Sequence, residues 1–74
     1  MKAYEISIGM LSLDGRYEGK QRIGFTLDHS KVAEIINNYR AEHEKGYFYI
    51  GHETVLNDDG SREIKFYIEE VEVV

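Results

Sequence analysis

Two histidines, His43 and His52, have the side chains in this sequence best suited to acid–base chemistry or metal binding. Both lie on the apolar side of their predicted elements, His43 in a helix and His52 in a strand. If the chain reverses at Gly46, His43 lies about 5 Å from the reversal, whereas His52 lies about 20 Å beyond it. We therefore expect the rings not to share a ligand, and we interpret both as partly buried residues at the core margin.

Two short segments contain the residue types of known sites without their spacing. Asp28-His29-Ser30 has the side chains of a hydrolase triad, but a triad is defined by convergence in space, and adjacent residues do not converge. Asn57-Asp58-Asp59-Gly60 lacks the alternating ligands and the closing glutamate of a calcium loop. We interpret the first segment as a helix cap and the second as a hairpin turn. The sequence predicts no catalytic residue, no metal and no cofactor.

Tyrosines on the outer face of the predicted sheet are the most informative feature. Alternation places Tyr47, Tyr49 and Tyr67 together on that face, with Glu53 and Glu69 beside them. Solvent faces of small sheets are usually polar, and tyrosine gives a large contact area at low entropic cost. We predict that these five residues form an acidic, aromatic partner-binding surface.

Three functions are compatible with this surface. The first is a non-enzymatic protein-binding module, an inhibitor or modulator in the style of small phage proteins, which docks on a basic protein. The second is a homodimer that uses the same face or the tail of residues 71–74. The third is a binder of single-stranded nucleic acid, with tyrosines stacking on bases and Arg16, Lys20 and Arg22 contacting phosphates. The net charge of −5 argues against nucleic acid.

Composition bounds the remaining possibilities. The 74 residues predict a single domain spanning 1–74, and the absence of cysteine fits a reducing compartment. No apolar run is long enough to span a membrane, and the N-terminus lacks a secretory pattern, so we expect a cytoplasmic protein without membrane contact. Residues 42–74 carry nine acidic and three basic side chains, which favours basic partners.

One helix must position these side chains. The segment from Asp28 to Gly46 places its apolar residues on one face, namely Val32, Ile35, Ile36, Tyr39 and His43. Asp28 is the expected N-cap, with Ser30 as an alternative, and Gly46 fits a left-handed position after the last turn.

Two hairpins flank the helix. Asp14-Gly15 predicts a two-residue turn that places Ile6 opposite Ile23 and Tyr4 opposite Phe25. Gly60 predicts a three-residue turn between strands 47–56 and 62–73. That second register pairs Ile50 with Ile68, His52 with Phe66 and Glu53 with Lys65. Beyond Ile68 the alternation fails, which indicates a bulge near Glu69-Glu70 or a tail that pairs elsewhere.

The predicted fold is therefore α+β, a β-hairpin–helix–β-hairpin (ββαββ) with one four-stranded, largely antiparallel sheet and the helix on one face. The sheet order stays open: the helix could return the chain parallel to the second strand, or the hairpins could meet through their first and fourth strands. The strand residues of the expected core are Tyr4, Ile6, Ile8, Ile23, Phe25, Phe48, Ile50, Phe66 and Ile68.

Overall fold

The computed structural model describes residues 1–43 and 51–73 of the chain. In order, the elements are β1 (Lys2–Leu11), β2 (Tyr17–Thr26), α1 (Ser30–His43), β3 (Thr54–Leu56), β4 (Arg62–Ile64) and β5 (Phe66–Glu72). Three strands form an antiparallel sheet of order β2-β1-β5, and β3 pairs with β4 in a second sheet. The α+β class is confirmed, but the prediction of one four-stranded sheet is wrong. No helix among the described residues is long and apolar enough to cross a membrane.

The first hairpin turns through three residues rather than the predicted two. The backbone N–H of Ser12 donates to the carbonyl of Arg16 over 2.8 Å. Gly15, at φ 87°, supplies the left-handed residue that such a loop requires. A register shift between Met10 and Leu11 then restores the alignment of a two-residue loop, with Ser7 opposite Arg22.

A second register shift in this hairpin changes which residues reach the core. It falls between Ile6 and Ser7, so that Ile6 lies opposite Gly24 instead of Ile23, and Tyr4 opposite Thr26 instead of Phe25. An extra residue in one strand moves the following side chains to the other face. Phe25 consequently pairs with Glu5 and is 47% exposed, so its predicted place in the core is wrong.

The second hairpin has the predicted turn but not the predicted length. Gly60 adopts φ 88°, and Thr54 pairs with Ile64 in the register of a three-residue loop. The predicted fourth strand divides at Lys65, and its second part, β5, pairs with β1 in an unbroken register through Glu69 and Glu70. Of the two alternatives for this segment, the bulge is absent and the segment pairs elsewhere, with β1, so that the hairpins meet through their first and fourth strands.

The new pairing replaces two predicted contacts of the second hairpin. His52 forms an isolated bridge with Met10 of β1, not a pair with Phe66. Ile68 lies opposite Ile6 of β1, while its predicted partner Ile50 lies outside the described residues.

Helix α1 begins as its sequence predicts. An Asp28 carboxylate oxygen accepts hydrogen bonds from the backbone N–H of Ser30 at 3.0 Å and from its hydroxyl at 2.8 Å. These two bonds hold the pKa of Asp28 below its ordinary value. The predicted N-cap is thus confirmed, whereas the predicted C-cap at Gly46 lies outside the described residues.

The buried apolar residues of the described chain are Ala3, Ile6, Ile8, Val32 and Ile64. Ile6 and Ile8 lie on the face of β1 that packs against α1, whereas Ala3 lies on the opposite face by alternation. Gly24 allows close approach, because a Cβ there would lie 2.6 Å from Cγ2 of Ile35. The helix packs mainly on β1 and β2, which leaves Ile68 on the edge strand 51% exposed. Ile68 is therefore not the core residue predicted, and Phe48 lies outside the described residues.

Candidate functional site

Gly9 of β1 lies at the branch point of the sheet, where three segments run side by side. The backbone N–H of Glu53 donates to the Gly9 carbonyl over 2.8 Å, and that of Lys65 donates to the Glu53 carbonyl over 2.9 Å. A Cβ on Gly9 would come within 2.8 Å of Cβ of Glu53. The missing side chain therefore lets Glu53 lie across β1 on the outer face.

Tyr67 is held on this face by three side chains. Its hydroxyl donates to the Glu53 carboxylate over 2.6 Å. Its ring centroid lies 4.3 Å from Nζ of Lys20 and 4.9 Å from Nζ of Lys65, both in the range of cation–π contacts. The bond to Glu53 raises the pKa of Tyr67, and contact with Tyr67 and then with Glu53 raises the pKa of Lys65.

Both predicted carboxylates of the site contact lysines. Nζ of Lys65 lies 3.7 Å from a carboxylate oxygen of Glu53, which confirms the predicted pairing of these residues. Nζ of Lys20 lies 3.2 Å from a carboxylate oxygen of Glu69. Each of these two carboxylates beside Tyr67 therefore has a lysine partner among the described residues.

The structure brings together three of the five predicted site residues, Tyr67, Glu53 and Glu69, while Tyr47 and Tyr49 lie outside the described residues. Sequence reasoning missed the role of Lys20 here and assigned it only to possible phosphate contacts. The register of the first hairpin places Lys20 opposite Gly9. That register indicates a contact with Tyr67 only when β1 is known to be the central strand. With β5 on the other side of β1, Tyr67 lies opposite Ser7, which is two residues from Gly9 and on the same face of β1.

A second aromatic cluster lies on the inner side, at the end of α1. The Tyr39 hydroxyl and Nε2 of His52 form a hydrogen bond of 2.6 Å. The His43 ring stacks on Tyr39 at a centroid distance of 3.9 Å, and the two histidine rings lie 5.9 Å apart. The predicted separation of these histidines is wrong, because Gly51 turns the chain at φ 89° and the following residues do not form a regular strand.

The side chains of the inner cluster pack against one another at the edge of the core, and they do not form the arrangement of a reaction centre. Burial raises the pKa of Tyr39, which keeps its phenol neutral. Nδ1 of His52 is buried and has no hydrogen-bond partner among the described residues. Within residues 1–43 and 51–73, no three His, Cys, Asp or Glu side chains lie close enough to hold a metal ion.

The two clusters therefore offer different chemistry. The outer cluster presents an oriented tyrosine with exchangeable surface ion pairs, which suits recognition. The inner cluster joins α1 to the second hairpin. Comparisons with protein-family models, curated proteins and solved structures give no match to this chain.

Proposed function

We propose that the chain is a small non-enzymatic protein-binding module, an inhibitor or modulator, whose outer sheet face docks on a basic surface of another protein. The observation that carries this proposal is the fixed orientation of Tyr67. Its hydroxyl bonds Glu53 at 2.6 Å while two lysine ammonium groups flank its ring. The sequence-based members Tyr47 and Tyr49 remain part of the proposed surface.

Pre-orientation matters because binding costs free energy for every side chain that must be ordered. A tyrosine already held in one rotamer loses less conformational entropy when a partner covers it. Tyrosine is also among the residues that dominate interface energetics. The arrangement around Tyr67 therefore favours a recognition role over a purely solvating one.

The charge of the chain supports a basic partner. The net charge is −5, and Glu69, Glu70 and Glu72 lie exposed on one strand. The ion pairs at the site are themselves exposed, with side-chain exposures of 42% and 56% for Lys20 and Glu69. Exposed ion pairs contribute little, so arginine or lysine from a partner can replace Lys20 beside Glu69 at small cost.

Affinity capture with matched baits tests the proposal. The baits are the unchanged chain, Tyr67→Ala and the control Tyr17→Ala, which removes a tyrosine 54% exposed on β2. Circular dichroism first establishes that all three fold. We expect a protein retained by the chain and by Tyr17→Ala to be lost with Tyr67→Ala. Equal retention by all three baits contradicts the proposal.

A further inference from the structure

Among residues 1–43 and 51–73, β2 and β5 are the edges of the three-stranded sheet, and they differ in regularity. The register of β2 against β1 shifts at two points, and Gly19 in that strand has φ 111°. The register of β5 runs without a shift from the Lys2–Glu72 pair to the Ile8–Phe66 pair. Bulges, charged side chains and proline are devices that keep edge strands from pairing with other chains. β2 has bulges and a lysine, whereas β5, with the sequence FYIEEVE, has no bulge and no proline, and its charged side chains are all glutamates. Glutamates disfavour an acidic incoming strand but not a basic one.

One hydrogen bond shows which backbone groups of β5 point away from the sheet. The N–H of Val73 donates to the Met1 carbonyl over 2.8 Å, in the same register as β5 and β1. Residues of an antiparallel strand alternate between bonding one neighbour and facing the other side. The odd-numbered residues thus bond β1, and Ile68, Glu70 and Glu72 direct their N–H and C=O groups to the other edge.

The side chains along this edge combine an apolar residue with carboxylates. Ile68 is 51% exposed, because the helix packs mainly on β1 and β2. Glu69, Glu70 and Glu72 are all exposed, and their carboxylates form exposed ion pairs with Lys20, Lys2 and the N-terminal amine at 3.0 to 3.2 Å. An incoming strand here would place one set of alternate side chains beside Ile68, Glu70 and Glu72 and the other set beside Glu69.

We infer that the outer edge of β5 binds an extended, basic segment of another protein as an added strand. Backbone hydrogen bonds to Ile68, Glu70 and Glu72 supply the pairing, and lysine or arginine side chains replace the exposed partners of the carboxylates. This inference goes beyond the proposed Tyr67 surface: the two share Glu69, but the strand pairing itself uses the backbone of β5.

Charge argues against a second copy of the chain as the occupant. Two β5 strands paired antiparallel along their full length would place Glu69 opposite Glu69 and Phe66 opposite Glu72. Like charges directly opposite each other destabilise a strand pair. A basic segment meets the same carboxylates with opposite charge.

Nuclear magnetic resonance with a peptide of alternating lysine and valine tests the inference. We expect the peptide to shift the amide signals of Ile68, Glu70 and Glu72 and to slow their hydrogen exchange. Glu70→Pro removes an outward N–H without removing a bond to β1, so it should abolish the shifts. Glu70→Gln keeps the N–H and loses one charge, so it should weaken binding several-fold less than Glu70→Pro.

Several results would overturn the inference. One is that a peptide of alternating glutamate and valine binds as tightly as the lysine–valine peptide. Another is that Glu70→Gln and Glu70→Pro weaken peptide binding by the same factor. Slow exchange of the three amides in dilute protein without peptide would show that the edge is already covered. Protection that grows with protein concentration would make a second copy the occupant. Glu72→Pro repeats the test if Glu70→Pro does not fold, and Tyr67→Ala, which tests the outer face, should leave peptide binding intact.

Discussion

Two tyrosines in this small protein make hydrogen bonds of equal length in contrasting surroundings. Tyr39 bonds His52 on the inner side of the sheet, and Tyr67 bonds Glu53 on the outer side, each at 2.6 Å. The inner ring packs against His43 and Phe66, with centroid distances of 3.9 and 5.9 Å. The outer ring is flanked by lysine ammonium groups that water also reaches.

The contrast separates stability from recognition. Removing the inner ring leaves a gap between the helix and the second hairpin, and the part-buried His52 loses its hydrogen-bond partner. Removing the outer ring releases charged side chains that water can solvate. The same residue type is therefore expected to support folding at position 39 and binding at position 67.

The largest expected effect comes from Tyr39→Ala. The change removes a half-buried ring that touches His43, His52 and Phe66. We expect the free energy of unfolding to fall by about 2–3 kcal/mol, less than the roughly 3–5 kcal/mol for a fully buried aromatic side chain, because Tyr39 is only half-buried. Urea denaturation followed by circular dichroism measures it, with Tyr17→Ala as a control that should change little. An unchanged midpoint would show that the inner cluster does not stabilise the fold.

Two glycines extend the comparison of the inner and outer faces, because Gly24 is in contact with the helix and Gly9 with Glu53 on the outer face. Alanine at Gly24 would bring Cβ within 2.6 Å of Ile35, and we expect a loss of about 1–3 kcal/mol from overpacking against the helix. Alanine at Gly9 would lie within 2.8 Å of Cβ of Glu53, an atom that moves only with its backbone. Gly9→Ala should therefore also lower the midpoint of thermal denaturation, and unlike Gly24→Ala it should break the Tyr67–Glu53 bond, visible as a shift of the Tyr67 ring signals. Equal shifts of the Tyr67 ring signals in the two variants would contradict this assignment of the two faces.

Tyr39→Phe isolates the hydrogen bond of the inner cluster. It keeps the ring and leaves Nε2 of His52 without the hydroxyl, so we expect a loss of about 1–2 kcal/mol in urea denaturation. Because burial raises the pKa of Tyr39, ionisation opposes folding. Stability should fall as the pH rises above the ordinary tyrosine range, and this fall should be smaller in Tyr39→Phe. Identical alkaline profiles would exclude Tyr39 as the group responsible.

The smallest expected effect concerns the helix cap. Bonds from Ser30 lower the pKa of Asp28, so the contribution of its carboxylate is complete above the ordinary aspartate pKa and is lost as the pH falls through the lowered value. Ser30→Ala removes the hydroxyl donor and should raise this pKa toward its ordinary value. A carboxyl titration by nuclear magnetic resonance measures the pKa of Asp28. An unchanged pKa in Ser30→Ala would show that the Ser30 hydroxyl does not lower it.

Local signals in the sequence predicted the second turn and the start of the helix, although Asp14-Gly15 predicted a two-residue turn where the structure has three residues. The position of Gly60 correctly predicted the three-residue loop, and with it the Thr54–Ile64 register and the Glu53–Lys65 contact. Asp28 correctly predicted the start of the helix. Each of these features depends on residues that lie within a few positions of one another or are joined by one turn.

Features that depend on distant partners were not predictable in this way. The bulge that turns Phe25 outward also places Gly24 under Ile35, so it depends on how the helix packs on β2. The meeting of His43 and His52 depends on the backbone turn at Gly51. The surroundings of Tyr67 depend on β1 being central, a choice that the alternation of single strands does not encode.

The measurement that most directly tests the central claim is the free energy of unfolding of Tyr67→Ala in urea, beside that of Tyr39→Ala. We predict a markedly smaller loss for Tyr67→Ala, because its contacts with Lys20, Lys65 and Glu53 reach solvent. That result would show that Tyr67 is oriented by its neighbours but is not needed for folding. A residue of a binding surface is expected to have both properties. A loss as large as that of Tyr39→Ala would make Tyr67 a structural residue and contradict the account.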